Sequence, residues 1–432
     1  MINRLPHLLG AVSWIMFGMV LNFAGCQNGG NTDDVHHDTQ PYVDQTSPGD
    51  IADTGDLLAF DLSAADPSET IRVPTLSEAV AVVPSAGLPK DAPIQPANNN
   101  LDVIRYQGRV YLAFRTAPNH FASAETTLLI MSSTDEISWE SEAMFFENTD
   151  LREPRFLIVG DTLWLYFAVL GSNIADFEPK GMMASQRLIN GRWSDPRWVY
   201  LPTFIPWRGR AAAGVSSLVG YVGGEKIYDN ADPRIEIHWL QTDNGLEFSA
   251  MFGTSPIIQI GGGSEADIAA LDGGGWVMVV RNELGDDYGW GSKICRGDNT
   301  KPPVWTCAAD PKKYDSPLLF RHKSDVYLFG RRTLTETGEY DLGTGDNLDN
   351  QLAYWTTPKR CSLWKVDADS LSVEWVLDLA SKGDTCFVSV LDNGGGEFTV
   401  YNYSSPIEEP ELSWLDGQLG PTQIYRQTLS LP

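Results

Sequence analysis

One β-hairpin unit recurs along the chain and limits what the chain can fold into. The unit has a polar or acidic start, an apolar strand, a turn and a second strand with aromatic residues. Its copies begin near positions 99, 151, 265, 315 and 384, with a more divergent copy near 211. The copies are roughly 50–60 residues apart, as expected if each is the inner hairpin of a four-stranded blade. The repeat therefore predicts an all-β fold, a six-bladed β-propeller of four-stranded antiparallel blades.

The propeller is predicted to span residues 68–432. In this range the apolar residues come in short runs separated by Gly, Asp and Asn, and no helical apolar pattern extends over three turns. The C-terminal segment "TQIYRQTLSLP", which begins at Thr422, is the natural candidate to close the ring. Pairing of the chain ends removes exposed sheet edges, so we expect a terminal strand to complete the last blade.

Residues 1–25 are predicted to be an export signal. Arg4 supplies the positive start, and the apolar stretch 8–21 is too short for an ordinary membrane span. The following "FAGC" resembles the lipobox of bacterial lipoproteins, with Phe23 where leucine is usual. This resemblance implies lipidation of Cys26 and an anchor in the bacterial cell envelope, with Gln27 compatible with the outer membrane. The alternative is a plain signal peptide with an incidental cysteine.

Residues 26–67 are predicted to be a disordered acidic tether. Positions 27–66 contain nine aspartates and no lysine or arginine, a composition that buries too little apolar surface to fold. The whole chain has a formal net charge of −26, which excludes nucleic acid as an expected partner because phosphates would be repelled. We expect a monomer that contacts the membrane only through its lipid anchor.

The remaining four cysteines predict disulfides rather than a metal site. An even number of cysteines in an exported chain is typical of disulfide bonds. Proximity favours Cys295–Cys307 and Cys361–Cys386, although four cysteines allow three connectivities. There is no CxxC, P-loop, GxGxxG or HExxH motif, and the Asp-rich "GTGDNLDNQ" from Gly343 lacks EF-hand spacing and is predicted to be a loop. We expect no metal or other cofactor.

Two outer hairpins carry a further recurrence. "SSTDEISWES" from Ser132 and "LQTDNGLEFS" from Leu240 each place an Asp in a tight turn before an aromatic residue, where the Asp can bond its own turn. These turns resemble a degraded sialidase Asp box: Ser133, Asp135 and Trp139 match in the first, and Asp243 and Gly245 in the second.

A larger resemblance covers roughly Asn98 to the C-terminus. It rests on the ordered segments "LDVIRYQGRVYLAFR", "STDEISWE", "DLREPRF", "SEADIAAL" and "GDTCFVSVL". In this part the chain resembles the sialidase-like family of exported bacterial six-bladed propellers. The resemblance implies carbohydrate as substrate or ligand, and says more about fold than about the particular sugar.

Polar residues at the starts of the inner strands are the first candidate site residues. In a propeller the first strand of each blade lines the central channel, so these residues converge on its mouth. The alternative is that they cap strand ends and pair between blades. The candidates are Asp102, Arg152, Glu153, Glu265, Asp267, Asp315 and Asp384.

A second ring of candidates comes from the ends of the next strands. It comprises Arg115, Arg281, Arg331 or its neighbour Arg332, and Tyr403, with His120 following Arg115 as a candidate contact to sugar hydroxyls. Planar guanidinium groups bind carboxylates bidentately. The resemblance to sialidases implies arginines that hold a substrate carboxylate, and a tyrosine nucleophile, here Tyr403, activated by a glutamate, here Glu265.

A two-carboxylate glycosidase is the alternative within the same chemistry. Its candidates are Asp102, Glu153, Glu265, Asp315 and Asp384. Arg152-Glu153-Pro154 resembles the Arg-Asp-Pro element of five-bladed furanosidases, but six units argue against that fold.

Two hypotheses remain open from the sequence. The first is an exported glycoside hydrolase acting on extracellular glycan, with acidic sugars among its candidate substrates. It predicts a carboxylate pair about 5–9 Å apart in the mouth. The second is a non-catalytic propeller that binds glycan or protein, with every carboxylate paired to an arginine.

Overall fold

The computed structural model describes residues 73–432, apart from 175, 213 and 228–233. The predicted signal peptide, the acidic tether and the lipidation site Cys26 lie outside the described residues. The described chain forms six antiparallel sheets arranged as propeller blades. The predicted fold class is therefore confirmed.

The strands follow one another in the order expected for a propeller. Two short strands come first, β1 (Thr75–Leu76) and β2 (Val80–Val83). Blade 1 contains β3 (Ala97–Tyr106), β4 (Arg109–Ala117), β5 (Thr127–Ser133) and β6 (Glu140–Phe145). Blade 2 contains β7 (Asp150–Val159), β8 (Thr162–Leu170), β9 (Pro179–Gln186) and β10 (Arg197–Pro202). Blade 3 contains β11 (Ile205–Ala212), β12 (Val215–Val222) and β13 (Ile235–Thr242), with β14 (Ser249–Ala250) and β15 (Ile257–Gly261) both paired to β13.

The second half of the ring repeats the same plan. Blade 4 contains β16 (Ala266–Ala270), β17 (Trp276–Asp286), β18 (Gly289–Gly297) and β19 (Trp305–Asp310). Blade 5 contains β20 (Leu318–His322), β21 (Asp325–Thr333), β22 (Lys359–Asp367) and β23 (Ser372–Asp378). Blade 6 contains β24 (Ser389–Gly394), β25 (Glu397–Ser404) and β26 (Gln423–Ser430), and β1 and β2 pair with β26 on its outer side.

The two ends of the described chain close the ring together. The predicted C-terminal segment forms β26, the third strand of blade 6, and the N-terminal strands β1 and β2 supply the outer edge that the sequence did not reveal. Asn98 in blade 1 also donates its backbone N–H to the carbonyl of Thr422, at 3.1 Å. Val82 and Val83 are buried. Blade 6 is thus completed by residues from both ends.

Apolar side chains pack between neighbouring blades and form the core. Phe145 of blade 1, for example, stacks on Phe167 of blade 2 with ring centroids 5.5 Å apart. Alternate residues of each strand point to opposite faces, so each sheet presents one apolar row to each neighbouring blade. This packing places the innermost strands β3, β7, β11, β16, β20 and β24 around the axis.

Side chains of the outer turns bond the backbone of their own turn. Asp135 accepts from the backbone N–H groups of Ile137 and Ser138, at 2.8 and 2.7 Å. In the second predicted turn, Asn244 rather than Asp243 accepts from the N–H groups of Leu246 and Glu247. The amide oxygen of Asn244 meets the same need as a carboxylate, and the repeat is displaced by one residue from the predicted position.

Two helices lie in the loops after β21 and β25. They are α1 (Asn347–Thr356) and α2 (Trp414–Leu419). Helix α1 corrects the prediction of a loop from Gly343, because Asp346 is an N-cap that accepts from the N–H of Leu348 at 2.9 Å. Among the described residues, no helix is long and apolar enough to cross a membrane.

Both predicted disulfides are present. Cys295–Cys307 joins register partners on β18 and β19, with Cα atoms 4.0 Å apart. Cys361–Cys386 joins β22 of blade 5 to the segment that enters blade 6, with Cα atoms 4.7 Å apart. The second bridge therefore links two blades.

Two buried arginines fill the central channel. Arg208 donates to the carbonyls of Ser316, Pro317 and Val388 at 2.9–3.1 Å, which belong to blades 5 and 6. The guanidinium of Arg155 lies over the ring of Phe387, 4.3 Å from its centroid. Two guanidinium groups therefore lie buried among the inner strands.

Deleting residues 74–83 from the full chain tests the ring closure. We expect a free energy of unfolding lower by at least about 3 kcal/mol, because Val82 and Val83 leave the core and the edge of β26 becomes unpaired. Denaturant unfolding measures this. Unchanged stability would show that β1 and β2 do not complete blade 6.

Candidate active site

Strained backbone marks the mouth of the channel. Asn100, Glu153, Ser316 and Cys386 are non-glycine residues with φ of 44°, 52°, 57° and 82°. They lie at the entrances of β3, β7, β20 and β24, and the pairing register of β3 and of β7 shifts there. Such positions cost about 1–3 kcal/mol each and cluster at functional sites. The bulged entrances turn neighbouring side chains toward the mouth.

Glu265 and Asp315 meet at Arg281. The Nη1 atom of Arg281 lies 2.7 Å from Glu265 Oε1 and 3.6 Å from Asp315 Oδ1. Glu283 contacts the same nitrogen at 3.2 Å. The backbone N–H of Ser316 donates to the second oxygen of Glu265 at 2.7 Å. Three carboxyl groups therefore share one guanidinium nitrogen.

Asp315 is held as an ionised group. Arg331 donates to its Oδ2 at 3.2 Å, Lys313 lies 3.6 Å from its Oδ1, and the hydroxyl of Tyr354 also donates to it. These groups and Arg281 hold the pKa of Asp315 below its ordinary value despite burial, the largest opposing effect. Because its side chain is only 1% exposed, Asp315 interacts with these neighbouring groups rather than with solvent.

Glu153 is the least paired carboxyl group of the mouth. Asn100 donates to its Oε1 at 3.0 Å, and the nearest guanidinium nitrogen, of Arg155, is 3.9 Å from Oε2. Within the described residues, Oε2 has no hydrogen-bond partner. Burial raises the pKa of Glu153, although Arg155, Arg152 and Arg281 oppose the shift. Burial therefore favours the neutral form of Glu153 more than it would in an exposed glutamate.

Glu265 is electrostatically coupled to both acidic neighbours. Burial raises the pKa of Glu265 to about 7, and the charges of Asp315 and Glu153 contribute, while Arg281 and the Ser316 N–H oppose the shift. Burial thus raises the pKa values of both Glu153 and Glu265.

Arg115 and Arg152 hold the loop of His120. Both contact Asp150, at 2.8 Å and 2.5 Å. Arg115 also donates to the carbonyls of Asn119 and Phe121, at 3.0 and 2.8 Å. Its side chain is 0% exposed. Arg115 therefore supports the loop and does not face the mouth.

His120, Asp384 and Tyr403 form a separate hydrogen-bonded chain. The Nδ1 atom of His120 lies 2.6 Å from Asp384 Oδ2, and the Tyr403 hydroxyl donates to Oδ1 at 3.0 Å. Burial and Asp384 raise the pKa of Tyr403, so its phenol stays neutral. The partner of Tyr403 is thus Asp384, whereas the sialidase resemblance implied Glu265.

Asp102 and Asp267 lie deeper in the channel and are not brought into this cluster. Asp102 accepts from the N–H of Phe156 at 2.8 Å, and Asp267 from the N–H of Leu319 at 2.6 Å. Each bond reaches the innermost strand of the following blade. These two aspartates tie strands together, as the alternative interpretation expects.

The structure brings the other predicted residues together around the mouth. Of the two alternatives in blade 5, Arg331 faces the cluster, while Arg332 pairs with Asp378 on the outer strand. The sequence reasoning missed Asp150, Glu283, Lys313 and Tyr354. Glu283 lies two residues from Arg281 on β17, so strand alternation could have revealed it. Lys313 lies two residues from Asp315, but in the segment between β19 and β20. Tyr354 lies on α1 and had no such signal.

Comparisons with solved structures agree with this fold. A protein of unknown function from Dyadobacter fermentans is 15% identical, with a TM-score of 0.56 over 84% of this chain and 100% of that one. Trypanosoma rangeli sialidase in complex with the inhibitor DANA is 11% identical, with a TM-score of 0.51 over 79% of this chain. A second structure of that sialidase gives 11% and 0.50 over 77%. This chain spans 57% and 54% of those two sialidase chains.

No protein-family model and no curated protein matches the chain. The shared property is the fold, a six-bladed sialidase-like propeller. At these identities the likeness carries no residue roles across.

Replacement of Glu265 by Gln tests the shifted carboxyl group. An ordinary glutamate titrates near pH 4.3, and Glu265 near pH 7 in the folded protein. At pH values between these two, the folded protein therefore holds a proton on Glu265 that the unfolded protein does not. The stability that this neutral form contributes is lost as pH rises through that range. We expect Glu265→Gln to gain about 1–3 kcal/mol relative to wild type between pH 5 and pH 8.

Thermal unfolding at several pH values measures this difference. The exposed Glu374 on β23 provides a matched Glu→Gln control, for which we expect a stability difference from wild type that does not change with pH. A pH-independent difference for Glu265→Gln as well would contradict the raised pKa of Glu265.

Proposed function

We propose that the protein is a glycoside hydrolase acting on extracellular glycan, with Glu153 as its general acid. The observation that carries the proposal is the pair Glu153 and Glu265 at the mouth, two carboxyl groups whose pKa values are both raised beside Arg281. A protonated carboxyl group near neutral pH can donate to a glycosidic oxygen.

The contacts favour Glu153 over Glu265 as the residue that carries the catalytic proton. Glu265 accepts from the Ser316 N–H and lies 2.7 Å from Arg281, so its negative charge is well compensated. Glu153 has one amide donor and a guanidinium at 3.9 Å. Its side chain is also the more exposed of the two, at 13% against 10%.

The reaction follows from these states. Glu153 gives its proton to the leaving oxygen as the glycosidic bond breaks, and the ionised Glu265, with Arg281, stabilises positive charge that develops on the sugar ring. General acid catalysis of this kind contributes about 10²–10⁴-fold in rate. Asp315 and Arg331 hold Arg281 and Tyr354 in place.

A neutral sugar suits the site better than a sialoside. The sialidase arrangement needs three arginines directed at a substrate carboxylate, and Arg115 is buried and engaged by Asp150 and two carbonyls. Arg281 is neutralised by carboxylates of the protein itself. We therefore favour a neutral glycan within the proposed class.

A non-catalytic glycan-binding propeller is the second candidate. It is favoured by the pairing of Asp150, Asp315 and Asp384 with cationic or histidine side chains. Glu153 is the exception to this pairing. The two candidates thus differ in the role of one residue.

A hydrolysis screen of neutral and acidic glycans, with detection of new reducing ends, distinguishes them. We expect release from a neutral glycan, and a rate that falls at alkaline pH as the general acid loses its proton. Glu153→Gln should lower turnover at least about 100-fold, and Glu374→Gln should leave it unchanged. Glycan binding without release would favour the binding propeller, and wild-type turnover in Glu153→Gln would reject Glu153 as the acid.

We also propose that Cys26 carries the lipid that anchors the protein to the bacterial cell envelope. The proposal rests on the lipobox resemblance. Replacing Cys26 with Ala should move the protein from the membrane fraction to the soluble fraction, because the buried acyl chains are then absent. Asn28→Ala serves as a control that stays with the membrane. Membrane retention of the Cys26→Ala variant would contradict the proposal.

A further inference from the structure

His120 lies in a loop whose backbone is fixed on several sides. Its N–H donates to the carbonyl of Gln418 at 3.1 Å, and its own carbonyl accepts from Arg152 Nη2 at 2.6 Å. Arg115 binds the carbonyls of the residues before and after it. This support from blades 1, 2 and 6 is stronger than an incidental loop histidine requires.

The ring of His120 is oriented by Asp384. The carboxylate of Asp384 is 0% exposed, accepts from the Tyr403 hydroxyl at Oδ1, and lies 2.6 Å from His120 Nδ1 at Oδ2. The Asn99 amide nitrogen is farther from Nδ1, at 3.4 Å. Since an ionised carboxylate only accepts, Nδ1 carries the hydrogen and Nε2 carries the lone pair.

The lone pair is available at the mouth. Within the described residues, Nε2 makes no hydrogen bond to the protein. The side chain of His120 is 16% exposed while its partner Asp384 is fully buried, so the exposed edge of the ring is the one opposite Nδ1. An imidazole ordered by a buried carboxylate, with its second nitrogen directed outward, is the arrangement of a general base.

We propose that His120 is the general base of the mouth, with Asp384 as its orienting partner and a hydroxyl group of water or sugar as the proton donor. The proposal rests on the proposed hydrolase function and supplies its second proton-transfer group. Asp384 is a positioning residue, because its carboxylate is buried behind the ring.

The step balances with Glu153 as the acid. Nε2 of His120 takes a proton from water as the water oxygen bonds to the anomeric carbon. The glycosidic carbon–oxygen bond breaks, and the leaving oxygen takes the proton of Glu153. The products are two sugars, and the proton on His120 returns to Glu153 through solvent.

The surroundings favour the neutral imidazole, whose lone pair can accept a proton. Burial is the largest effect and lowers the pKa of His120. The charges of Arg152 and Arg115 lower this pKa further, while Asp384 opposes the shift. Tyr403 faces the ring, with centroids 6.3 Å apart, and its phenol is neutral.

Diethyl pyrocarbonate tests the free Nε2 on the full-length protein without a known substrate. His238 is an internal control, since it is 2% exposed and its two ring nitrogens contact Tyr200 and Glu236. We expect His120 to be modified at least about tenfold faster than His238, and Asp384→Asn to slow the modification of His120 by reversing its tautomer. Equal rates at the two histidines, or no effect of Asp384→Asn, would overturn the proposal.

Kinetics on the glycan found by the screen complete the test. His120→Gln should lower kcat at least about 100-fold and abolish the acid limb of the kcat/KM profile, while Glu153→Gln removes the alkaline limb. An unchanged acid limb in His120→Gln overturns the base assignment. Fast modification of His120 in a protein that hydrolyses no glycan supports the dyad and rejects the hydrolase, so the two failures are distinguishable.

Discussion

The rest of the structure depends on two guanidinium groups buried on the propeller axis. A buried charge is tolerated only where hydrogen bonds and opposite charges compensate for the loss of water. Arg208 reaches from blade 3 to carbonyls of blades 5 and 6, while Arg155 is attracted by Asp102, Glu153, Asp267 and Glu265. These contacts join the inner strands across the axis and explain why acidic residues are needed along the channel wall.

The same compensation sets the chemistry of the mouth. Asp102 and Asp267 accept hydrogen bonds from backbone N–H groups and also lie near the charge of Arg155. Burial outweighs the available donors at Glu153 and Glu265, and the pKa values of these two groups rise. The reactive part of the site is therefore the part that the axial charges leave incompletely compensated.

The sequence predicted the architecture because the hairpin unit repeats and its polar starts recur in phase. It also identified most of the residues around the mouth. The sequence could not show which of Glu265 and Asp267 belongs to the site, because residues two apart on a strand point the same way. Their depth in the channel depends on the bulged strand entrances. Arg331 and Arg332 differ by one residue, and only the burial of one strand face decides between them. Tyr354 reaches the site on α1, in a long connection between β21 and β22 that carries no repeat signal. The outer edge of blade 6 escaped prediction because β1 and β2 are short and far from their partner strand in sequence.

Charge pairing at the mouth also limits the ligands that the site can recognise. Arg115, Arg281 and Arg331 each contact at least one carboxylate of the protein. An anionic sugar that enlisted one of them would separate a buried ion pair, which costs several kcal/mol because the displaced carboxylate stays away from water. A neutral sugar makes no such demand and needs only donors and acceptors for its hydroxyl groups. The exposed side chain of His120 can contact such a hydroxyl group, so the group that remains open at the mouth is suited to transferring protons rather than to holding charge.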